Sequence, residues 1–567
     1  MKLTGSQILM ESLLKNKVEI IFGYPGGAIM PIYDALFDYT EKKIKHVLVR
    51  HEQGAIHAAE GYARINNTAG VVFATSGPGA TNLVTGIADA MMDSVPVVCI
   101  TGQVYASLLG SDAFQEADVI GITTPITKWN HQVTKAEEIA ETVAKAFHIA
   151  NSGRPGPVVI DITKNAQIEK VEFNYPKKVL IPSFKIPSKP NTTSIKQAAT
   201  LINNAQKPYI FVGHGVLISK AEQQVKDLAE KAGIPVASTL HGLSSFPANH
   251  PLYMGLLGMH GKYSTNLLTN QADAIIAVGM RFDDRVTGRL ADYAKQAKII
   301  HIDIDNAELH KNVSADVAIN ADAKETLKML IPKVNKNEHK DWLKDFKRLD
   351  EIEYEKVTNK ELKPVDKGLL RNKIKMAQVI DMLSNKTKGE AVIVADVGQH
   401  QMITARYYRF QKSDSFITSG GAGTMGFALP AAIGAKMANP KRDIVAVIGD
   451  GCFQMTIQEL ATIAQEDLPV KIIILNNNFL GMVRQWQQLF FEKRYSFVDL
   501  KNPDFITVAK GFYVDGMKVE KYSELSKSLD KMLNAKKAFV LEVVVEKEEN
   551  VFPMVPAGAS VEEVVLE

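Results

Sequence analysis

The chain has 567 residues, 46% of them hydrophobic and 23% charged, and its 66 Lys and Arg against 63 Asp and Glu leave a net charge of +3. At roughly 100–200 residues per domain, such a length suggests about three or four domains, and the even spread of charge excludes a dedicated nucleic-acid or membrane-surface binder. Two cysteines far apart, Cys99 and Cys452, make neither a disulfide framework nor a zinc site. With no signal-type N-terminus and no apolar run near the roughly 18 residues of a membrane span, the expectation is a soluble, cytoplasmic protein without membrane or nucleic-acid partners.

In chain order, the pattern predicts three α/β segments, each a doubly wound parallel-sheet domain. In the first, residues 1–180, the short runs 47–49, 71–75, 95–100 and 157–161 read as strands, with a helix over 138–151. Apolar runs of this length are expected of strands buried on both faces. A turn-rich linker follows at 182–190. In the second segment, 191–335, strands are expected at 209–212, 235–239, 274–278 and 298–304. The charge-dense stretch 333–367 reads as a solvated helix with a connector. The third segment, 368–548, has strand patterns at 392–396, 444–448, 470–475 and 539–545. The tail, 549–567, carries Pro553, Pro556 and Gly558 and could cover a neighbour or a site. Thr75-Ser76-Gly77-Pro78-Gly79 and Thr418-Ser419-Gly420-Gly421-Ala422-Gly423 are weakly alike, which hints at one duplicated unit.

Chemistry first shows at Gly449-Asp450-Gly451-Cys452, after strand 444–448, and at Asn476-Asn477-Asn478, after strand 470–475. In a parallel sheet both loops lie at the carboxyl edge, where ligands bind. Glycines let backbone N–H groups approach a phosphate at a helix start. Asp450 offers an anionic oxygen and Asn477 a neutral one, a donor set that suits Mg²⁺ bound partly by phosphate.

These two loops resemble the diphosphate motif of thiamine-diphosphate enzymes. The resemblance implies that the carbonyl of Phe479 joins Asp450 and Asn477 at the metal, and that Gln399, His400, Gly449, Gly451, Cys452 and Met482 line the diphosphate. Gly423 and Met425 would contact the aminopyrimidine. Glu52, in Arg50-His51-Glu52-Gln53-Gly54-Ala55, matches the family's catalytic glutamate, with Gly23-Tyr24-Pro25-Gly26-Gly27 upstream and Thr75–Asn82 downstream as the family has. Its carboxyl would share a proton with the pyrimidine ring, while the cofactor serves as electron sink. Because Glu52 and Asp450 lie in different segments, the resemblance implies a site completed by two subunits and hence a homodimer, or a homotetramer built from it.

Gly255–Gly261 and Arg281-Phe282-Asp283-Asp284-Arg285 narrow the resemblance to acetolactate synthases of the FAD-containing type, over essentially the whole chain. FAD would then be held by Arg154, Gly213, Gly215, Thr239, Leu240, Met259, His260, Gly279, Arg281, Asp303 and Asp322. The family's glycine before that last acid is Ala321 here. In the substrate pocket Arg285 would grip a ketoacid carboxylate. Trp486 would select its alkyl size, and Gln115 and Lys128 would line the other wall. The activity implied is condensation of pyruvate with pyruvate or 2-ketobutyrate in branched-chain amino acid biosynthesis, with a small regulatory subunit as a further partner. Two alternatives stay open: a pyruvate oxidase on the same FAD domain, and a catalytically silent cofactor-binding protein, which would be expected to lack Glu52.

Overall fold

The computed structural model describes residues 2–40, 44–187, 189–364 and 372–567. Ser188 of the linker, Lys367 at the end of the charge-dense stretch and Gly368 at the start of the third segment lie outside the described residues.

Three six-stranded parallel sheets carry the chain. The first contains β1 (Ile20–Gly23), β2 (Lys45–Leu48), β3 (Gly70–Ala74), β4 (Val97–Gln103), β5 (Trp129–Val133) and β6 (Pro157–Thr163), in the order β2-β1-β3-β4-β6-β5. Helices α1 (Glu52–Asn66), α2 (Val84–Asp93) and α3 (Ile139–Asn151) pack with it. The second contains β7 (Pro208–Val212), β8 (Val236–Ser238), β9 (Tyr253–Leu256), β10 (Ala274–Val278), β11 (Lys298–Asp303) and β12 (Val317–Asn320), in the order β9-β8-β7-β10-β11-β12. That is the strand order of dinucleotide-binding sheets. Helix α4 (Lys340–Glu353) then leads to the third sheet. Its strands are β13 (Val392–Ala395), β14 (Phe416–Thr418), β15 (Ile444–Gly449), β16 (Lys471–Asn476), β17 (Asp515–Val519) and β18 (Phe539–Val544), in the order β14-β13-β15-β16-β18-β17. Helices α5 (Gln399–Tyr407), α6 (Ala428–Ala438) and α7 (Gly481–Phe490) accompany it.

The first and third sheets share one strand order, as expected of a repeated unit, but the likeness between Thr75–Gly79 and Thr418–Gly423 is not part of it: the first follows the third strand of its unit and the second follows the second strand of its own. The two units are also one body. A single apolar core runs from Phe22, Val47 and Ile56 through to Phe427, Ile474 and Phe505. At its centre α1 lies on α6 with almost no side chain between them. A Cβ on Gly434 would run into the Ala58 carbonyl, and one on Gly61 into that of Ala431.

Two expectations change. The charge-dense stretch is not simply a solvated helix. Helix α4 buries Trp342, Phe346, Leu349 and Glu353. The Trp342 indole donates to the Pro208 carbonyl at 2.9 Å, and Glu353 pairs with Arg406 at 2.7 Å with both side chains 4% exposed. Charges on its other faces concealed an apolar seam. The tail, for its part, folds over its own chain: the Val555 amide reaches the Met259 carbonyl at 2.8 Å, and Val551 binds Gln485 at 2.9 Å. Among the described residues no helix is long and apolar enough to cross a membrane.

Since the α1–α6 contact is backbone against backbone, Gly434→Ala is expected to overpack it. The cost is about 1–3 kcal/mol, read as a fall of several degrees in the unfolding midpoint, whereas Gly511→Ala, where an added Cβ meets nothing, should leave that midpoint within a degree or so.

Candidate active site

Strands β13, β15 and β16 end together at the carboxyl edge of the third sheet, where the strand order reverses between β13 and β15. Such a reversal opens a crevice. The helix Asp450–Met455 starts directly from β15, so Asp450 sits in its first turn rather than in a loop. Its carboxylate is 2% exposed, and burial pushes its pKa up to about 6. One oxygen accepts from the Asn502 amide at 2.7 Å, and the same amide reaches Asn476 at 3.0 Å and Asn478 at 3.2 Å. Asn502, which sequence reasoning missed, therefore ties the two loops together.

Asn477 faces the same cleft. Its side-chain oxygen accepts the Phe479 amide at 3.1 Å, and its amide nitrogen lies 3.4 Å from Gln399 Oε1. Gln399 is fixed by Gln485 and by the Glu549 carbonyl, each at 2.9 Å. His400 is buried, its pKa pushed down to about 3 by burial, and its Nε2 has no partner. The ring packs so close to Gly449 that a Cβ there would stand 2.8 Å from it. A neutral imidazole with a buried unpartnered nitrogen, beside a buried carboxylate, is a donor set that could hold a metal and a diphosphate. Gly451, Cys452, Phe479 and Met482 complete the lining, and the Cys452 thiol points to the Val397 carbonyl at 3.2 Å.

Met425 closes one side of this cleft. The turn before it has Gly423 at φ +67°, a conformation open to glycine. The Gly426 and Ala428 amides are both held by buried Asp396 at 2.9 Å.

Glu52 begins α1 behind the N-cap His51 and is 9% exposed. Its Oε2 accepts from Asn82 at 2.9 Å, and the Gly77–Gly79 turn lies against it and against Gln115. The cleft at Asp450, by contrast, is lined from Met376 to Val483 with no residue of the first sheet.

At the carboxyl edge of the central sheet, Gly213, Gly215 and Gly279 meet backbone to backbone, with the Gly215 amide on the Gly279 carbonyl at 2.9 Å. Thr239 caps the turn through Leu240, and its hydroxyl accepts the Gly242 amide at 3.2 Å. His260 is buried with Nδ1 unpartnered, its pKa lowered to about 4 by burial. Met259 binds the Arg285 carbonyl through its amide at 2.7 Å. Asp303 ends β11, its carboxyl pushed up to about 7 by burial. Arg281 and Arg285 stay free of tight pairing, with their nearest carboxylates at 3.8 and 3.7 Å, and the Arg285 side chain is 61% exposed. Trp486 lies on α7 against Phe490, ring centres 5.0 Å apart.

Three residues are placed otherwise than the sequence led us to expect. Lys128 precedes β5, at the amino edge of the first sheet, opposite the edge that carries Glu52. Its ammonium donates to the Ser152 carbonyl at 2.7 Å and to that of Ile149, so it caps α3 instead of lining a pocket with Gln115. Lys164, one residue past β6, lies at the carboxyl edge, 3.5 Å from the Gly27 carbonyl. Arg154 is answered by Glu308 at 2.7 Å and Asp305 at 3.4 Å, which leaves less of its charge for a phosphate. Asp322 is the N-cap of a helix, accepting from Glu325 at 3.0 Å and Ser219 at 3.1 Å. Removing the α3 cap by Lys128→Met is expected to cost about 1–2 kcal/mol while a titration with magnesium and thiamine diphosphate gives the unaltered midpoint.

Comparison with known proteins agrees with this geometry. Residues 3–122 match the thiamine pyrophosphate enzyme N-terminal TPP binding domain, 195–330 the central domain and 396–543 the C-terminal TPP binding domain. The chain is 46% identical over 582 residues to an acetolactate synthase of Mycobacterium bovis, covering 99% of this chain and 91% of that one. It is 45% identical over 573 residues to the acetolactate synthase large subunit of Corynebacterium glutamicum, covering 99% and 89%. With that of Lactococcus lactis it shares 43% identity over 567 residues, covering 99% and 96%. The chain belongs to the acetolactate synthase family of thiamine pyrophosphate enzymes.

Proposed function

We propose that the chain is the catalytic subunit of an acetolactate synthase: it decarboxylates pyruvate and joins the two-carbon unit to a second 2-ketoacid, pyruvate or 2-ketobutyrate, on the route to branched-chain amino acids. The observation that carries this reading is the cleft at β13, β15 and β16, with buried Asp450, Asn477 and an unpartnered His400 nitrogen around one crevice. Full-length similarity to acetolactate synthases favours it over a pyruvate oxidase. The retained Glu52 speaks against a silent relative.

In this reading Asp450, Asn477 and the Phe479 carbonyl hold Mg²⁺, while Gln399 and His400 face the diphosphate. When bound, thiamine diphosphate supplies an acidic ring carbon and an electron sink. Glu52 holds the proton at the pyrimidine ring nitrogen, in a setting already out of water. Arg285, exposed and loosely paired, grips the carboxylate of the second ketoacid bidentately. Trp486 bounds the space for its alkyl group. FAD would be held at the carboxyl edge of the central sheet, where Gly213, Gly215 and Gly279 bring two turns into backbone contact. The Asp450 cleft takes nothing from the first sheet, so Glu52 of a second subunit completes it, and a homodimer is the smallest active unit. A small regulatory subunit is a further partner of this reading.

The direct test is to purify the chain, record its flavin spectrum and assay acetolactate from pyruvate with and without thiamine diphosphate and Mg²⁺. Acetolactate formed only with both supports the reading; oxygen-dependent acetyl phosphate without acetolactate overturns it. Glu52→Gln is expected to keep cofactor binding and to lose turnover by about 10²-fold or more, as a side-by-side cofactor titration and rate measurement would show.

A further inference from the structure

Two acids of α2 reach across to the third domain. Asp89 and Asp93, four residues apart and so on one helical face, meet the turn that follows β14 in the third domain. Asp89 Oδ1 accepts the Ser419 hydroxyl at 2.8 Å, and Ser419 Oγ in turn accepts the Thr424 amide at 2.8 Å. Asp93 receives the Gly420 amide at 2.9 Å and the Gly421 amide at 2.7 Å. It is anchored by Arg64 at 2.9 Å and by His241 of the central domain at 3.0 Å. Asp89 and Ser419 are fully buried and Asp93 nearly so.

The turn needs such anchors. Ser419-Gly420-Gly421-Ala422-Gly423 has little conformational preference of its own, since glycine populates many backbone states. Ser419 is the one residue in it with a polar side chain, and it points to Asp89. The turn leads straight to Gly423 and Met425, which the reading above sets against the aminopyrimidine. Asp89 is suited to a neutral acceptor role. It shares a fully buried pocket with Glu60 and His57, side-chain atoms of the three lying within 4.8 Å of one another. Burial, then the Glu60 and Asp93 charges, push its carboxyl up to about 8. For Asp93 burial also acts upward, but His241 and then Arg64 outweigh it and hold the carboxyl well below the usual range.

We propose that Asp89 and Ser419 are positioning residues for the cofactor: Asp89, through the Ser419 hydroxyl, holds the Thr424 amide and so sets where Met425 meets the aminopyrimidine ring. The inference rests on the thiamine reading. It goes beyond it by giving a helix of the first domain control over a cofactor contact in the third, in the same chain.

The test uses the full-length chain, titrated with thiamine diphosphate at saturating Mg²⁺ and followed both by near-ultraviolet circular dichroism and by turnover. Ser419→Ala and Asp89→Leu are expected to raise the half-saturating thiamine diphosphate concentration about tenfold, the effect of one lost buried hydrogen bond. The pyruvate KM should stay within about twofold. Asp89→Asn, which keeps an oxygen for the Ser419 hydroxyl, should titrate like wild type. An unchanged midpoint in Ser419→Ala overturns the proposal, and so does an Asp89→Asn variant as weak as Asp89→Leu. Ser419→Ala deletes a single oxygen from a buried turn, so its titration decides the matter even if Asp89→Leu does not fold. A wild-type chain that binds no thiamine diphosphate would refute the thiamine reading itself; wild-type binding with unaltered variants refutes the positioning role alone.

Discussion

Helices α1 and α6 touch backbone to backbone, and the rest of the molecule is arranged around that contact. It exists because Gly61 and Gly434 lack side chains and Ala58 and Ala431 have small ones. Close approach fixes the first sheet on the third with one continuous apolar core between them. It brings α2 within hydrogen-bonding reach of the Ser419–Gly421 turn. It also commits α1, whose first residue is Glu52, to a face of the third domain other than the Asp450 crevice. In the proposed reading, a chain so packed carries both halves of the thiamine site without joining them.

The central domain is held by polar contacts of a different sort. Helix α5 begins with Gln399 and His400, which face the cleft, and its last turn carries Arg406, which reaches the His260 and Gly261 carbonyls at 3.3 and 3.4 Å. Glu353 of α4 pairs with the same guanidinium. A buried guanidinium needs several acceptors to offset its lost hydration, and here they come from two other segments. One short helix thus spans from the proposed diphosphate contacts to the proposed flavin segment.

Much of this was legible in the sequence, for a physical reason. Strands buried on both faces are continuous apolar runs, and β3, β4, β6, β7, β8, β10, β11, β13, β15, β16 and β18 could be read that way, as could part of the edge strand β2 at 47–49. Most of the strands that escaped, β5, β9, β12, β14 and β17, are sheet edges. They are short or half-exposed, with polarity to match. Residues one step past a legible strand, Asp450 and Asn477, could be assigned to a carboxyl edge without coordinates. Lys128 could not, because β5 behind it was not recognised, and it turned out to stand at the amino edge. Asp89 and Ser419 are 330 positions apart, and Asn502 lies 52 beyond Asp450. Contacts between such distant positions have no local signature. The charge run at α4 misled in the opposite way, its apolar seam of Trp342, Phe346 and Leu349 diluted by lysines and acids on the other faces.

The central claim is that Glu52 of one subunit serves the Asp450 crevice of another. Mixing two inactive chains, Glu52→Gln and Asp450→Asn, tests it most directly after co-refolding or co-expression. In mixed dimers one of the two sites then has both native groups, so random pairing is expected to restore about a quarter of the wild-type acetolactate rate. A mixture as inactive as either chain alone, with hybrid dimers demonstrably formed, would contradict the account.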